Sequence, residues 1–159
     1  MFIVPGLTPK LETENSYQAG DYVSFIGRVS LEKGIVEFLE LAKELPDIPF
    51  AVVGSVDSTL HHLKENASKN VYWTGFLSGK DYDTFYQKSK IVVVPSKWYE
   101  GFPNVITRAM QHSKPVITSN IGAMQSIIDH NINGMLVDPG NVEQLKKQLN
   151  LYLIIMIGV

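Results

Sequence analysis

The chain has 159 residues, 14 Lys+Arg against 16 Asp+Glu for a formal charge of −2, and no cysteine. That length suits one domain with a substantial core, and the charge balance offers no basic stripe for nucleic acid. Without cysteine there is no disulfide framework, no thiolate chemistry and no Cys-based zinc site.

From the amino end, Met1-Phe2-Ile3-Val4-Pro5 lacks the basic region and long apolar core of a signal peptide, so a cytoplasmic setting is expected. Residues 1–20 read as a hinge or linker entering one domain over 21–159. Strands are expected near 22–27, 50–54, 71–74, 91–94, 116–119 and 135–137. Helices are expected near 31–45, 58–67, 79–89, 103–112, 124–130 and 142–152. In the first helix Ile35, Phe38, Leu39, Ala42 and Leu45 recur at three- and four-residue steps, one buried stripe, and Pro46 and Pro49 stop it. Several strands are continuous apolar runs, the mark of a sheet covered on both faces. Strand alternating with helix implies a parallel, doubly wound six-stranded α/β sheet. The tail 151–159 is uncharged and apolar but far short of the ~20 residues a membrane-spanning helix needs. It reads as the last turns of a packed helix, or as surface left bare by a chain cut short.

In the common 3-2-1-4-5-6 order a crevice opens between strands 1 and 4 at their carboxyl ends, where such folds bind ligands. After strand 4 the chain breaks at Pro95, crosses a loop holding Glu100 and restarts as a helix with Pro103 in its first turn. Phe102, as N-cap, has no side-chain acceptor, so the first N–H groups lack a protein partner. Such donors bind phosphate, or they simply meet water. After strand 1 comes Gly27-Arg28-Val29-Ser30-Leu31-Glu32-Lys33-Gly34. Ser30 as N-cap would put Lys33 in the first helical turn, opposing the macrodipole by roughly 0.3–1 kcal/mol, a conflict that a bound anion would resolve. Near a diphosphate, Arg28 and Lys33 would each contribute on the order of 4 kcal/mol of gross attraction. The plainer reading is two solvated cations, one paired with Glu32.

These residues resemble a known family. Phe25-Ile26-Gly27-Arg28, Glu32-Lys33-Gly34, Val52-Val53-Gly54, Val71-Tyr72-Trp73-Thr74-Gly75 and Val94-Pro95-Ser96 come first. Glu100-Gly101-Phe102-Pro103-Asn104-Val105-Ile106, Ala109-Met110, Lys114-Pro115-Val116-Ile117, Gly122 and Gly134 follow. In this order, over roughly 22–150, they resemble the nucleotide-binding half of a GT-B fold glycosyltransferase of family 4 (group 1), whose members are retaining enzymes. The resemblance implies that Arg28 and Lys33 hold the donor's diphosphate, beside Gly27 and Gly54. It implies that the amides of Asn104 and Val105, after Phe102, meet the same phosphates, and that Glu100 positions the donor sugar. Phe76 and Leu77 would border the nucleobase. No metal and no other cofactor is implied; the donor is a nucleoside-diphosphate sugar.

The chain departs from the family's pattern at several points. Eight positions after Glu100, where a second glutamate would bind ribose hydroxyls, stands Arg108. Losing a charged acceptor costs about 1.5–3 kcal/mol; an arginine accepts nothing from ribose, although it has reach to a phosphate. Ser126, Ala123 and Ser113 replace an acid and two glycines. On the resemblance, an acceptor-binding half is expected to lie outside this sequence, so the chain is expected not to turn over alone. A donor-binding domain is expected, needing an amino-terminal GT-B domain or a partner subunit. The alternatives are a degenerate, non-catalytic half that binds a partner, or the donor subunit of a split two-chain enzyme. The acceptor is unidentified, and membrane association stays open.

Other signals are weaker. Asp81-Tyr82-Asp83 spells an acid-x-acid pattern, but Ser78 with Asp81 reads as a capping box. His61 and His62 are sequence neighbours on a polar helix and share no face. His112 and His130 fall near helix carboxyl ends. No G-x-G-x-x-G follows strand 1, against a dinucleotide cofactor. Trp98 and Tyr99 either wall a sugar pocket or pack on their own sheet.

Overall fold

The computed structural model describes residues 20–99, 104–130 and 132–158, with side chains to Ile155. Expectations for the hinge segment, Glu100, Phe102 and Pro103 lie outside the described residues. The strands are β1 (Tyr22–Ile26), β2 (Phe50–Val53), β3 (Val71–Gly75), β4 (Ser89–Val94), β5 (Val116–Ser119) and β6 (Met135–Val137). The helices are α1 (Ile35–Glu44), α2 (His61–Asn66, after a 3-10 turn at Ser58–Leu60), α3 (Gly79–Lys88), α4 (Asn104–Gln111), α5 (Met124–Ile127) and α6 (Val142–Gly158). The strands form one sheet in the order β3-β2-β1-β4-β5-β6, every pair parallel.

Alternate residues of the central strands feed opposite faces. Val23, Phe25, Phe50, Val52, Ile91 and Val93 pack with Ile35, Phe38 and Leu41 of α1 and Leu145 and Leu149 of α6. Ala51, Val53, Val92 and Val116 pack with Phe85 and Tyr86 of α3, Ile106 and Ala109 of α4, and Met124 of α5. Both faces being covered, alternation has no polar side to show, which is why the strands read as unbroken apolar runs. Each large side chain so buried contributes roughly 1.5–3 kcal/mol. Buried hydroxyls are paired instead: Ser24 Oγ lies 2.6 Å from Ser89 Oγ, which donates to the Phe85 carbonyl at 2.9 Å. At the end of α1 the Asn70 side-chain amide donates to the carbonyls of Ala42, Leu45 and Ile48 at 2.9, 3.0 and 2.9 Å. One side chain thus ties the end of α1 to the turn that follows it.

Four local expectations are corrected. Helix α1 begins at Ile35 rather than near 31, because Gly34 is its N-cap, in the left-handed region at φ 83°. Ser30 closes a preceding turn, its Oγ accepting the Lys33 N–H at 3.3 Å. Lys33 therefore lies ahead of the helix, and the first turn carries Glu37, whose sign suits the dipole. Helix α5 stops at Ile127 because Ile128 is extended and Asn133 takes over the next groups, accepting the Asp129 N–H at 2.7 Å and donating to the Ile127 carbonyl at 2.9 Å. Helix α6 runs past 152 to Gly158; Tyr152 and Leu153 pack on the core while Leu151, Ile154 and Ile155 are exposed. Ser78 does N-cap α3, but its side chain makes no capping hydrogen bond, so the capping box is not formed.

Candidate functional site

Because β1 pairs directly with β4, the loops that leave their carboxyl ends are neighbours. They are also bonded to each other. The Lys97 N–H donates to the Glu32 carbonyl at 2.8 Å, and Ser96 Oγ donates to the same oxygen at 3.3 Å. Gly34 lies so close to Pro95 that a Cβ on it would overlap the Pro95 carbonyl oxygen. Only glycine allows both that approach and the positive φ. The loop after β2 joins on the other side: the Val29 N–H donates to the Ser55 carbonyl at 3.0 Å, and a Cβ on Gly54 would run into the Gly27 carbonyl. Gly27 in turn donates its N–H to the Val53 carbonyl at 2.9 Å. Gly27, Arg28, Lys33 and Gly54 are thereby gathered at one edge of the sheet, at its topological switch point.

The charges at this edge are mostly solvated. Arg28 Nη2 is 3.9 Å from Glu32 Oε2, both side chains being exposed, a pair of little energetic consequence. Asp57, after β2, is held below the ordinary carboxylate range by hydrogen bonds from Thr59, with a smaller contribution from Arg28. On the β4 side Lys97 Nζ is 3.0 Å from Glu37 Oε2. Of the aromatics, Phe76 (75%), Trp98 (67%) and Tyr99 (73%) are all well exposed, which removes packing on the sheet as the explanation for the last two. Leu77 packs into the second core cluster.

Helix α4 opens with Asn104, exposed, and Val105, partly buried, whose carbonyl accepts the Tyr86 hydroxyl at 3.3 Å. One turn on, Arg108 faces α3. Its Nη2 is 2.9 Å from Asp83 Oδ1, and its guanidinium carbon is 5.2 Å from the Tyr82 ring centroid. His112 completes this group, its Nε2 3.8 Å from Asp83 Oδ1 and its ring stacked on Tyr86 at 5.3 Å. Burial is the main cause that lowers its pKa; Asp83 opposes the shift, while Arg108 and Lys114 reinforce it. His130 Nδ1 accepts the Leu136 N–H at 2.8 Å; His61 and His62 lie on α2, and His61 adds a small electrostatic contribution at Asp57.

Sequence reasoning passed over Asp83, Glu37 and Lys97. Asp83 was visible only as half of an acid-x-acid pattern, with nothing to connect it to a residue 25 positions later. Glu37 had a signal, since it precedes Leu41 by one helical turn and so lies on a buried line of α1.

Comparison with known proteins agrees with this architecture. The family model described as Glycosyl transferases group 1 matches residues 10–154. An uncharacterized glycosyltransferase of Methanocaldococcus jannaschii is 31% identical over 140 residues, covering 84% of this chain and 39% of that protein. The 2-deoxystreptamine N-acetyl-D-glucosaminyltransferase of Niallia circulans is 30% identical over 128 residues, 76% of this chain and 33% of that one. Among solved structures, the C-terminal domain of a group 1 glycosyl transferase (LpcC) from Francisella tularensis superposes with a TM-score of 0.71 at 29% identity, covering 85% of this chain and 76% of that one. Anabaena HepE in complex with UDP and glucose shares the fold, with a TM-score of 0.76 at 24% identity over 84% of this chain and 39% of that one. The chain thus spans about two-fifths of the length of the M. jannaschii relative. A family match running through all six strands, on a sheet wound in this order, identifies the chain as a member of the group 1 glycosyl transferases, corresponding to their carboxyl-terminal GT-B domain.

Proposed function

We propose that this chain is the donor-binding half of a retaining, family 4-type glycosyltransferase, and that a nucleoside-diphosphate sugar lies at the β1/β4 edge. The observation that carries the reading is the pair of hydrogen bonds from Lys97 and Ser96 to the Glu32 carbonyl, which joins the Arg28–Lys33 loop to the loop after β4. Arg28 and Lys33 supply the positive charge that a departing diphosphate needs as the glycosidic bond to it breaks. On the resemblance, that charge is met by these side chains and the Asn104 and Val105 amides rather than by a metal. Glu100 fills the sugar-facing role on the same ground. Phe76 is free to lie against a base, and Leu77 anchors it to the core. HepE binds UDP and glucose, which makes UDP the first nucleotide to try. Since the chain covers 39% of its M. jannaschii relative, the acceptor site and turnover belong to further protein, in the same chain or a partner. A cytoplasmic setting belongs to this reading; among the described residues no helix is long and apolar enough to cross a membrane.

Titration with UDP, GDP and ADP by calorimetry is expected to give saturable binding. Arg28→Ala and Lys33→Ala should each weaken it about tenfold or more. Unchanged affinity in both variants would defeat the phosphate assignment.

A second reading, a half that has lost donor binding and serves a partner, is favoured by one observation. Arg108 is engaged by Asp83 and Tyr82, so it is turned toward α3 rather than held in reserve for a ligand. No saturable nucleotide binding in the unmodified chain would favour this second reading.

A further inference from the structure

Lys97 is tied to the β1 side at both ends of the residue. Its N–H donates to the Glu32 carbonyl at 2.8 Å, and its ammonium is 3.0 Å from Glu37 Oε2. Glu37 is buried in the first turn of α1, and its Oε1 has no hydrogen-bond partner among the described residues. A buried carboxylate answered by one cation, with an oxygen left over, is a poor device for stability alone, because desolvation offsets most of the attraction. The arrangement makes sense as a fixture. It holds the residues after β4 flat over the start of α1, between the Gly34–Pro95 contact and Gly140, whose Cβ position is 3.9 Å from Lys97 Cδ.

We propose that Glu37 and Lys97 are a positioning ion pair for the crevice: Glu37 draws the Lys97 ammonium back onto α1 and so fixes the Pro95–Tyr99 loop before any ligand arrives. The inference rests on the donor-binding reading above. Neither side chain touches the ligand. Ordering of a flexible loop is charged against affinity when it happens on binding, and is absent from the balance when folding has already done it. The pair also decides the fate of a third cation. Were Lys97 a phosphate ligand, Glu37 would be its competitor, and neutralising Glu37 would tighten binding. As a positioning pair, the same change loosens it.

The chain provides its own reporter, since it has two tryptophans and one of them, Trp98, is exposed next to Lys97. In a Trp73→Phe background, time-resolved anisotropy follows Trp98 alone, while calorimetry measures UDP affinity. Glu37→Gln and Lys97→Met are each expected to enlarge the fast anisotropy component and to raise the UDP dissociation constant about fivefold, with Lys97→Arg retaining both properties. Circular dichroism well below the unfolding transition must show the fold intact, which separates loop release from general loss of structure. Tighter UDP binding in Glu37→Gln, or Trp98 mobility unchanged in both variants, overturns the proposal. If the Trp73→Phe parent binds none of UDP, GDP and ADP, the donor reading fails and the positioning role with it, while a Trp98 response would still establish the pair as a loop anchor. If the parent binds UDP and the variants change nothing, the donor reading stands and the positioning role falls.

Discussion

Arg108 and Asp83 lie 2.9 Å apart, joining α4 to α3, with Arg108 only 15% exposed and Asp83 35%. Position 108 departs from the family's pattern in charge, and the structure supplies the compensation on a different helix. Reversing the charge alone would set two carboxylates against each other. Arg108→Glu is therefore expected to cost about 2–3 kcal/mol, less than a fully buried pair because Asp83 is partly wet. The double variant Arg108→Glu/Asp83→Lys should recover most of it. Urea unfolding of the three proteins measures both numbers, and an undiminished loss in the double variant would show that the pair is not the cause.

Gly34→Ala should be more disruptive than its one methyl suggests. The added Cβ meets the Pro95 carbonyl oxygen at φ 83°, so the β1 and β4 loops must separate. A loss of about 1–3 kcal/mol is expected from strain at such a backbone position, together with weaker UDP binding. Thermal denaturation and calorimetry on the same sample check the two effects.

Ser113 sits at φ 58°, the left-handed region where a side chain is strained. The family's pattern has a glycine there, and the chain carries the strain instead. Ser113→Gly is expected to stabilise by about 0.5–1 kcal/mol, the relief being partly cancelled by glycine's greater freedom when unfolded. A lower urea midpoint than the parent would contradict this.

His112 gives a pH dependence with a definite sign. Its folded pKa lies below the ordinary histidine value, chiefly through burial, so the unfolded chain binds the proton more readily. Stability from this group is complete above the unfolded value and declines as pH falls through it toward the folded value. Unfolding free energies at pH 7.5 and 5.5 should therefore differ more for the parent than for His112→Asn. An equal drop in both proteins would assign the acid sensitivity to other groups.

The strand order was legible because apolar runs and helical stripes alternate from Tyr22 onward, and helix geometry leaves few ways to cover both faces of such a sheet. The start of α1 was not, because Ser30 is a good cap and only the tertiary contact of Gly34 with Pro95 moves the helix start four residues on. Gly27, Arg28, Lys33 and Gly54 could be gathered at one edge by topology alone. The Arg108–Asp83 and Lys97–Glu37 pairs could not, since each joins residues 25 or 60 positions apart through side-chain reach, which periodicity does not encode.

The central claim, a nucleoside diphosphate at the β1/β4 edge, is tested most directly by following backbone amide resonances during a UDP titration. Saturable shifts should concentrate at Arg28–Gly34, Ser96–Tyr99 and Asn104–Val105, and should disappear in Arg28→Ala/Lys33→Ala. Shifts confined to residues away from this edge, or none with UDP, GDP or ADP at millimolar concentration, would contradict it.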